Sequence, residues 1–583
     1  MRRVRTVALV AFAVGMLAAV AAQTDRTAPV GSRSGVERYT AAVQGVVTAA
    51  DSGAPVQGAE VRLVGSGRYR LTMSDAAGRF VFTDLPPERM TMHVSKAGFV
   101  GAQFGQRHPL EEAEALDLAS GQQITANVAL SRGGVIYGRV FDEYGEPAAG
   151  ALVQALFARG LRGQGGVQNV GSGDQADDTG AFRLYGLAPG TYFVAAQPGP
   201  AGTVKRGAAT YYPGTPTVAS ALPVEIDSGS QVPVSITLNT ASLARVSGVV
   251  VNAAGVPSAG FVSLVSEDLI TARGLDGPAN LALSALQING DAGPDGRFTI
   301  ADVPPGSYVL TATLTLSTRI SYPSIPEGAT EAQRQAFAEQ VQASLARSLR
   351  EREAASLPVT VSGQDVAGLT IVTRPSPTLS GRFVAAPGVR QPVPAGLSVI
   401  AMSRQSPVQS LRNQSPGETF EIVAPTGPFV LSVGQLFGSL PPGWAVSAIR
   451  LNGRDVTDET IEVFADATVE VVLTDRVTSV SGTVRAGRNV DVANASVVVF
   501  PRDEGTWWYP SRAIRSARTD ASGRFEITGL PPGERYHAVA VDYLIAEEEY
   551  DAAFLDSVRG AATDFVLNDE GDQRTLQLDL VER

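Results

Sequence analysis

The chain has no cysteine. That excludes disulfides, thiolate metal sites, thiol nucleophiles and a lipid-modified N-terminal cysteine. Lysine is almost absent: Lys96 and Lys205 are the two in a chain with 47 lysines and arginines together. Histidine occurs three times, as His93, His108 and His537, too few for a histidine-rich centre. No His-Glu-x-x-His helix or Gly-x-Ser-x-Gly elbow is present. Charged residues make up 18% of the 583, with a formal net charge of −11. That balance argues against a nucleic-acid binder, which needs a basic face to neutralise phosphates. The near-zero mean hydropathy argues against a disordered chain.

One long apolar run exists, and it is at the N-terminus. Arg2, Arg3 and Arg5 precede an uncharged stretch from Val7 to Val20, and small residues around Ala19, Ala21 and Ala22 suit a cleavage point. Residues 1–22 are expected to be a signal peptide, and residues 23–42 a flexible polar leader. The run is shorter than the ~20 apolar residues that span a bilayer, so an uncleaved anchor is the weaker alternative. The mature protein is expected to be exported, periplasmic or extracellular, with no membrane span after cleavage.

The rest of the chain repeats itself. A phrase of Gly-x-Phe, alternating apolar residues and then Leu-Pro-Pro-Gly appears at Gly78-Arg79-Phe80 with Leu85-Pro86-Pro87. It returns at Gly180-Ala181-Phe182 with Leu187-Ala188-Pro189-Gly190, at Gly296-Arg297-Phe298 with Val303-Pro304-Pro305-Gly306, and at Gly523-Arg524-Phe525 with Leu530-Pro531-Pro532-Gly533. A degraded copy surrounds Phe420. The phenylalanines are spaced by roughly 100–120 residues, one small domain each. Asp75, Asp177 and Asp520 precede the turn glycines, where a carboxylate can bond forward to backbone N–H groups. Phe-x-Ile alternation places both side chains on one sheet face. Proline then ends the ladder, because it has no N–H to give. Tyr192, Tyr308 and Tyr536 open the strand that follows.

Each copy opens on a glycine between strand-forming residues: Gly45, Gly138, Gly248, Gly381 and Gly482. Each closes on alternating apolar positions, such as those from Ile124 to Leu130. About six or seven short strands per unit, with turn signals every 8–12 residues, indicate an all-β chain of β-sandwiches. The expected units are 43–132, 133–242, 243–374, 375–476 (degenerate) and 477–583. Short Pro- and Gly-containing links predict an elongated, semi-rigid string. Within the third unit, residues 330–353 lack Gly and Pro and carry Phe337, Val341, Leu345 and Leu349 at helical spacing, predicting an inserted helix. A shorter acidic helix is expected from Glu547 to Val558.

The three phrases together resemble the carboxypeptidase regulatory-like domain, a transthyretin-like (prealbumin-like) β-sandwich, as found in secreted bacterial proteins built of tandem copies. The resemblance implies a fold and not a reaction. It implies an accessory module beside an enzyme, a transporter or an adhesin, and no peptidase activity, because the metal-binding catalytic domain has no counterpart here. Related sandwiches include starch-binding-like domains and collagen-adhesin domains with Lys–Asn isopeptide bonds. The last three units have no lysine from which to form one.

No catalytic, cofactor or metal residue is assigned. Gly160 to Gly173 is expected to be a mobile glycine-rich loop. Acidic loops at Asp174, Asp177 and Asp178, at Asp291 and Asp295, and at Asp569, Glu570 and Asp572 are explained by turn chemistry, with Ca²⁺ as the weaker alternative. Candidate ligand contacts are aromatic: Trp507, Trp508 and Tyr509, with Tyr211 and Tyr212. They either stack on a sugar or protein partner or cover the sandwich edge as satellite core. The leading expectation is a non-enzymatic exported scaffold or binding protein. A carbohydrate-binding protein is the alternative, and an accessory subunit of a cell-envelope transporter or protease system is the weaker one. The partners expected are polysaccharide or another cell-envelope protein.

Overall fold

A computed structural model describes residues 40–65, 69–161, 164–198, 209–216, 220–239, 243–266, 288–315, 352–403, 411–412, 418–435, 440–487, 492–507 and 511–583. These residues are arranged as an all-β, multi-domain chain of paired sheets around separate cores, the two halves of unit 5 being joined through Ala540–Val541 and Leu580–Val581 into one seven-stranded sheet. The expected signal peptide lies outside the described residues, as does the leader up to residue 39.

In unit 1, the strand Ala41–Ala49 is the spine of the first sheet. It pairs antiparallel with Arg79–Leu85, and parallel with Gln123–Thr125 and Val128–Leu130. The second sheet runs in the order Tyr69–Met73, Glu60–Val64, Arg89–Ser95, Ala102–Gln103. Alternation sends Val43, Val47, Val61, Leu63, Phe80, Phe82, Met92 and Val94 into the shared core. The spine strand begins at Ala41, so the leader ends two residues earlier than expected.

The repeated glycine and phenylalanine have one structural cause. Each opening glycine sits on its spine strand directly opposite the phenylalanine of its own copy: Gly45 on Phe80, Gly138 on Phe182, Gly248 on Phe298, Gly381 on Phe420 and Gly482 on Phe525. On the other side the parallel strand brings a carbonyl oxygen close. A Cβ at Gly45, Gly248, Gly381 or Gly482 would lie 2.1–2.3 Å from that oxygen, a distance side chains do not tolerate. In units 1, 4 and 5 it would also meet the phenylalanine ring within 3 Å. The glycine leaves room for both neighbours.

The Leu-Pro-Pro-Gly turn is tied down by the tyrosine that follows it. The Tyr192 hydroxyl donates to the Ala188 carbonyl at 2.8 Å, Tyr308 to Pro304 at 3.0 Å and Tyr536 to Pro531 at 2.8 Å. The aspartate turns form as expected. One Asp75 oxygen accepts from the Ala77 and Arg79 amides, Asp177 from Thr179 and Ala181, and Asp520 from Ser522 and Arg524. These exposed carboxyls are all held below the ordinary aspartate value, for Asp75 and Asp520 chiefly by the backbone N–H of the arginine four residues on, and for Asp177 chiefly by the Thr179 hydroxyl.

Several expectations are corrected. The glycine-rich segment is a hairpin: Leu152–Leu161 pairs with Gln164–Gln175, because the backbone ladder needs no side chains to form. Most of the inserted helix, residues 330–351, lies outside the described residues. Arg352 and Glu353, its last two positions, belong to the strand Arg352–Val361. Arg374 and Pro375 pair with Ala354 and Glu353, so unit 3's sheet extends one residue past the expected boundary at 374. In unit 4 the strand Ala445–Leu451 joins the first sheet beside Ala467–Thr474. The acidic helix is split: a 3₁₀ turn at Glu548–Tyr550 precedes an α-helix at Ala552–Val558, and Asp551 caps the helix.

Candidate functional site

The aromatic candidates are not gathered on one surface. Trp507 is 4% exposed. Its indole N–H donates to the Pro501 carbonyl at 2.6 Å, and its ring meets Phe500 edge to face at 5.5 Å. It belongs to a second apolar layer on the outer face of unit 5's sheet, with Val498, Ile514, Val539, Phe554 and Leu555. This is the satellite-core placement. Trp508 and Tyr509 lie outside the described residues. In unit 2, Tyr211 is buried against Leu156 and Ala195. Tyr212 precedes Pro213 through a cis peptide bond and packs, partly buried, on the unit's main core.

The histidines are also dispersed. His93 is on the strand Arg89–Ser95 opposite Arg62 and Gln103, and burial followed by the Arg62 charge pushes its imidazole below the ordinary value. His537 Nδ1 is 2.6 Å from Asp564 and its ring packs on Phe500. Counted from the C-terminal end of its strand's ladder, His93 is two pairs in and His537 four. The two therefore sit on one strand type at different positions. Among the described residues, no group of three His, Asp or Glu is placed to hold a metal ion, and no helix is long and apolar enough to cross a membrane. Lys96 donates to the Gly58 carbonyl at 3.1 Å.

The polar chemistry concentrates where units meet. Unit 4 meets unit 5 through Arg512, which donates to Asp458 at 2.7 Å and to the Val446 carbonyl at 2.6 Å, and through Glu570, which accepts from Ser447 and Thr474. A cleft between them is lined by Arg512, Glu570, Ser447, Thr474, Arg476 and Pro531. Unit 1 meets unit 2 where the Gly133 amide donates to the Gly98 carbonyl at 3.1 Å and the Ser228 hydroxyl to the Arg132 carbonyl at 3.2 Å.

A further junction was not visible in the sequence. The segment after Ala102–Gln103 leaves unit 1 and reaches the last unit. Arg107 donates to the carbonyls of Ala493, Asn494 and Asp542 at 3.1, 2.6 and 3.0 Å. Arg518 replies from unit 5, donating to the Gly105 and Glu112 carbonyls at 3.1 and 2.6 Å and standing 3.4 Å from Glu114. The His108 ring stacks on Tyr543, 4.4 Å between centroids. The Ala546 amide donates to the Leu110 carbonyl at 2.8 Å. Leu110 and Ile545 together pack on the core of unit 2. The segment is stiffened from within: the buried Glu111 carboxylate accepts from the Arg107 and His108 amides at 2.6 and 3.0 Å. Units 1, 2 and 5 thus converge, and the expected elongated string is corrected to a chain that turns back on itself. Nothing in the segment's sequence marks this, since arginine, histidine and glutamate occur in any polar loop.

The family described as "Carboxypeptidase regulatory-like domain" matches residues 42–131 and 479–548. No curated protein matches the chain. Among solved structures, the TIE protein of Bacillus anthracis aligns at 11% identity over 57% of this chain and 51% of its own, with a TM-score of 0.15. This chain therefore spans about half of that structure's length. The minor pilin GBS52 of Streptococcus agalactiae aligns at 15% identity over 34% of this chain and 95% of its own, TM-score 0.20. A streptococcal ancillary pilin aligns at 12% over 58% and 99%, TM-score 0.19. At these scores the likenesses carry no argument about arrangement or role. The two matched segments coincide with the Gly45–Phe80 and Gly482–Phe525 pairs and the turns beside them.

Proposed function

We propose that this is an exported, non-enzymatic scaffold whose sandwiches hold a fixed arrangement of surfaces. One observation carries the reading: the residues that recur from copy to copy are occupied by the fold itself. The opening glycines admit a carbonyl and a phenylalanine, the aspartates close turns, and the tyrosines brace the proline turns. What differs between copies is spent on contacts between units. Export is supported by the basic and apolar N-terminus. The sugar-binding alternative is less favoured, because Trp507 and Tyr211 are committed to packing. The partner class remains polysaccharide or another cell-envelope protein.

The test is a panel of hydrolase substrates and immobilised cell-wall polysaccharides offered to the purified mature protein. The scaffold reading expects no turnover and no retention that Trp507→Ala abolishes. Turnover lost on a single carboxylate substitution would replace it with an enzyme, and Trp507-dependent retention with a carbohydrate binder.

A further inference from the structure

We propose that the strand Tyr69–Met73 of unit 1 is a docking edge for a second copy of this chain, the two strands pairing antiparallel about Leu71 so that one sheet runs through both molecules. The strand lies at the end of its sheet, and the chain leaves for unit 5 from the opposite end, after Ala102–Gln103. The Ser74 amide donates to the Ala59 carbonyl at 2.9 Å. By alternation, the backbone groups of Thr72 and Arg70 face Glu60–Val64, and those of Tyr69, Leu71 and Met73 face outward. The side chains of the same three residues stand on the outer face of the sheet, because their partners Val64, Arg62 and Glu60 alternate with the buried Val61 and Leu63. Tyr69 is 70% exposed, Leu71 48% and Met73 54%. An open edge beside an apolar row is a feature that soluble proteins ordinarily blunt with charge or proline.

The other copies show that the fold does not require this row. In unit 5 the corresponding strand is Arg515–Arg518, matched through Thr519, whose amide donates to the Ala495 carbonyl as that of Ser74 does to Ala59. Arg518 stands there in the place of Met73, and Ser516 in that of Leu71. Unit 2 has Gln175 and Gly173 at these places, and unit 3 has Asp291 and Asn289. Unit 5 also shows what such an edge does. Arg518 holds the Gly105 and Glu112 carbonyls of unit 1, and so the edge is an interface between units. In unit 1 the same edge is apolar and exposed, and the segment of unit 1 that serves unit 5 is already engaged. The strand is complementary to itself. Antiparallel pairing about Leu71 sets Tyr69 opposite Met73 of the second copy and Leu71 opposite its own counterpart, and each pair exchanges its outward backbone hydrogen bonds. Thioether then meets ring, and leucine meets leucine. Arg70, the strand's single charged residue, falls opposite Thr72, so no like charges are directly opposed.

The test is the mass of the full mature chain, read by sedimentation velocity across about 1–100 µM, where a modest interface dissociates. The expected result is a monomer–dimer equilibrium. Leu71→Lys sets like charges opposite each other at the two-fold axis and should weaken the dimer by about tenfold or more. Val81→Lys alters an exposed residue on unit 1's other sheet and should leave the equilibrium unchanged. Because the chain has no cysteine, one introduced thiol reports the register. Directly opposed Cα atoms in such a pair are ~5.5 Å apart, within the ~4.4–6.8 Å that a disulfide spans. Leu71→Cys should therefore oxidise to a covalent dimer, and Tyr69→Cys, which faces Met73, should not. A monomer at every concentration would overturn the proposal and leave the edge to a foreign strand. A dimer that Leu71→Lys leaves intact would overturn it too, as would cross-linking through Tyr69→Cys as ready as through Leu71→Cys.

Discussion

The guanidinium of Arg107 donates to the carbonyl of Asp542 at 3.0 Å across 435 positions of chain. Two further carbonyls, of Ala493 and Asn494, complete its coordination. Hydrogen bonds from a charged donor contribute about 1.5–3 kcal/mol each when buried, and less at a half-exposed side chain such as this one. Arg107→Ala is expected to cost the junction about 2 kcal/mol. It should enlarge the radius of gyration in small-angle scattering while leaving the sandwiches' circular dichroism unchanged. Unchanged scattering would show that Arg107 does not hold the first and last units together.

Gly482 faces the Leu576 carbonyl so closely that a Cβ would stand 2.1 Å from the oxygen and 2.8 Å from the Phe525 ring. The carbonyl cannot retreat without breaking the parallel ladder of Ser479–Arg485 with Gln573–Val581, nor Phe525 without disturbing the antiparallel ladder on the other side. Gly482→Ala is expected to destabilise unit 5 by about 1–3 kcal/mol, the range for overpacking against fixed atoms. Urea unfolding followed through Trp507 fluorescence would measure it. A loss under ~0.5 kcal/mol would mean the strand separates freely and the recurrent glycine has another cause.

This repeat shows why so much of the fold was legible. Gly-x-Phe, the aspartate turn and the proline turn act through residues near in sequence or through one ladder register, so their spacing reports their contacts. Alternation gave the core faces for the same reason. The junction of units 1 and 5 is different. Arg107 and Arg518 bind carbonyl oxygens, which every residue has, so no complementary pair of side chains announces them. Trp507 could be read either way: next to Trp508 and Tyr509 it resembles a displayed ring. In the structure Asp503 bends the chain, accepting from the Gly505 amide, and the ring turns under onto Phe500. The hairpin through Gly160 was missed because glycine is a poor strand former on its own account, and the ladder with Gln154 to Leu161 outweighs that preference.

Tyr536 is fully buried and its hydroxyl reaches the Pro531 carbonyl. Tyr536→Phe keeps the ring, which stacks on Phe565 at 5.4 Å, and removes the hydroxyl alone. The loss is expected to be about 1–2 kcal/mol, because the carbonyl is left without its buried partner. Burial also holds the phenol ionisation well above its ordinary value. Difference absorbance at alkaline pH should therefore show Tyr536 titrating only as the unit unfolds, and its absence from that late phase in the phenylalanine variant would identify it. An early titration would place the ring at the surface.

Asp520 tests the turns. Its carboxylate oxygen accepts from the Arg524 and Ser522 amides and the Ser522 hydroxyl, at 2.9, 2.8 and 2.7 Å. These bonds favour the charged form and hold the group below the usual aspartate value, even though it is exposed. A depressed folded value means the stabilisation is complete above the unfolded value and drains away as the pH falls through the folded one. The equivalent groups in units 1 and 2, Asp75 and Asp177, are shifted the same way, so their effects fall in the same acid window. Melting temperature recorded between pH 5 and pH 2 should fall in the parent protein. In a chain carrying Asp75→Asn, Asp177→Asn and Asp520→Asn together it should start lower at pH 5 and fall less. Asparagine keeps an oxygen that can accept from the same amides, so the difference isolates the charge. Parallel curves for the two proteins would show that the turns are held by geometry alone, with the carboxylate's charge adding nothing.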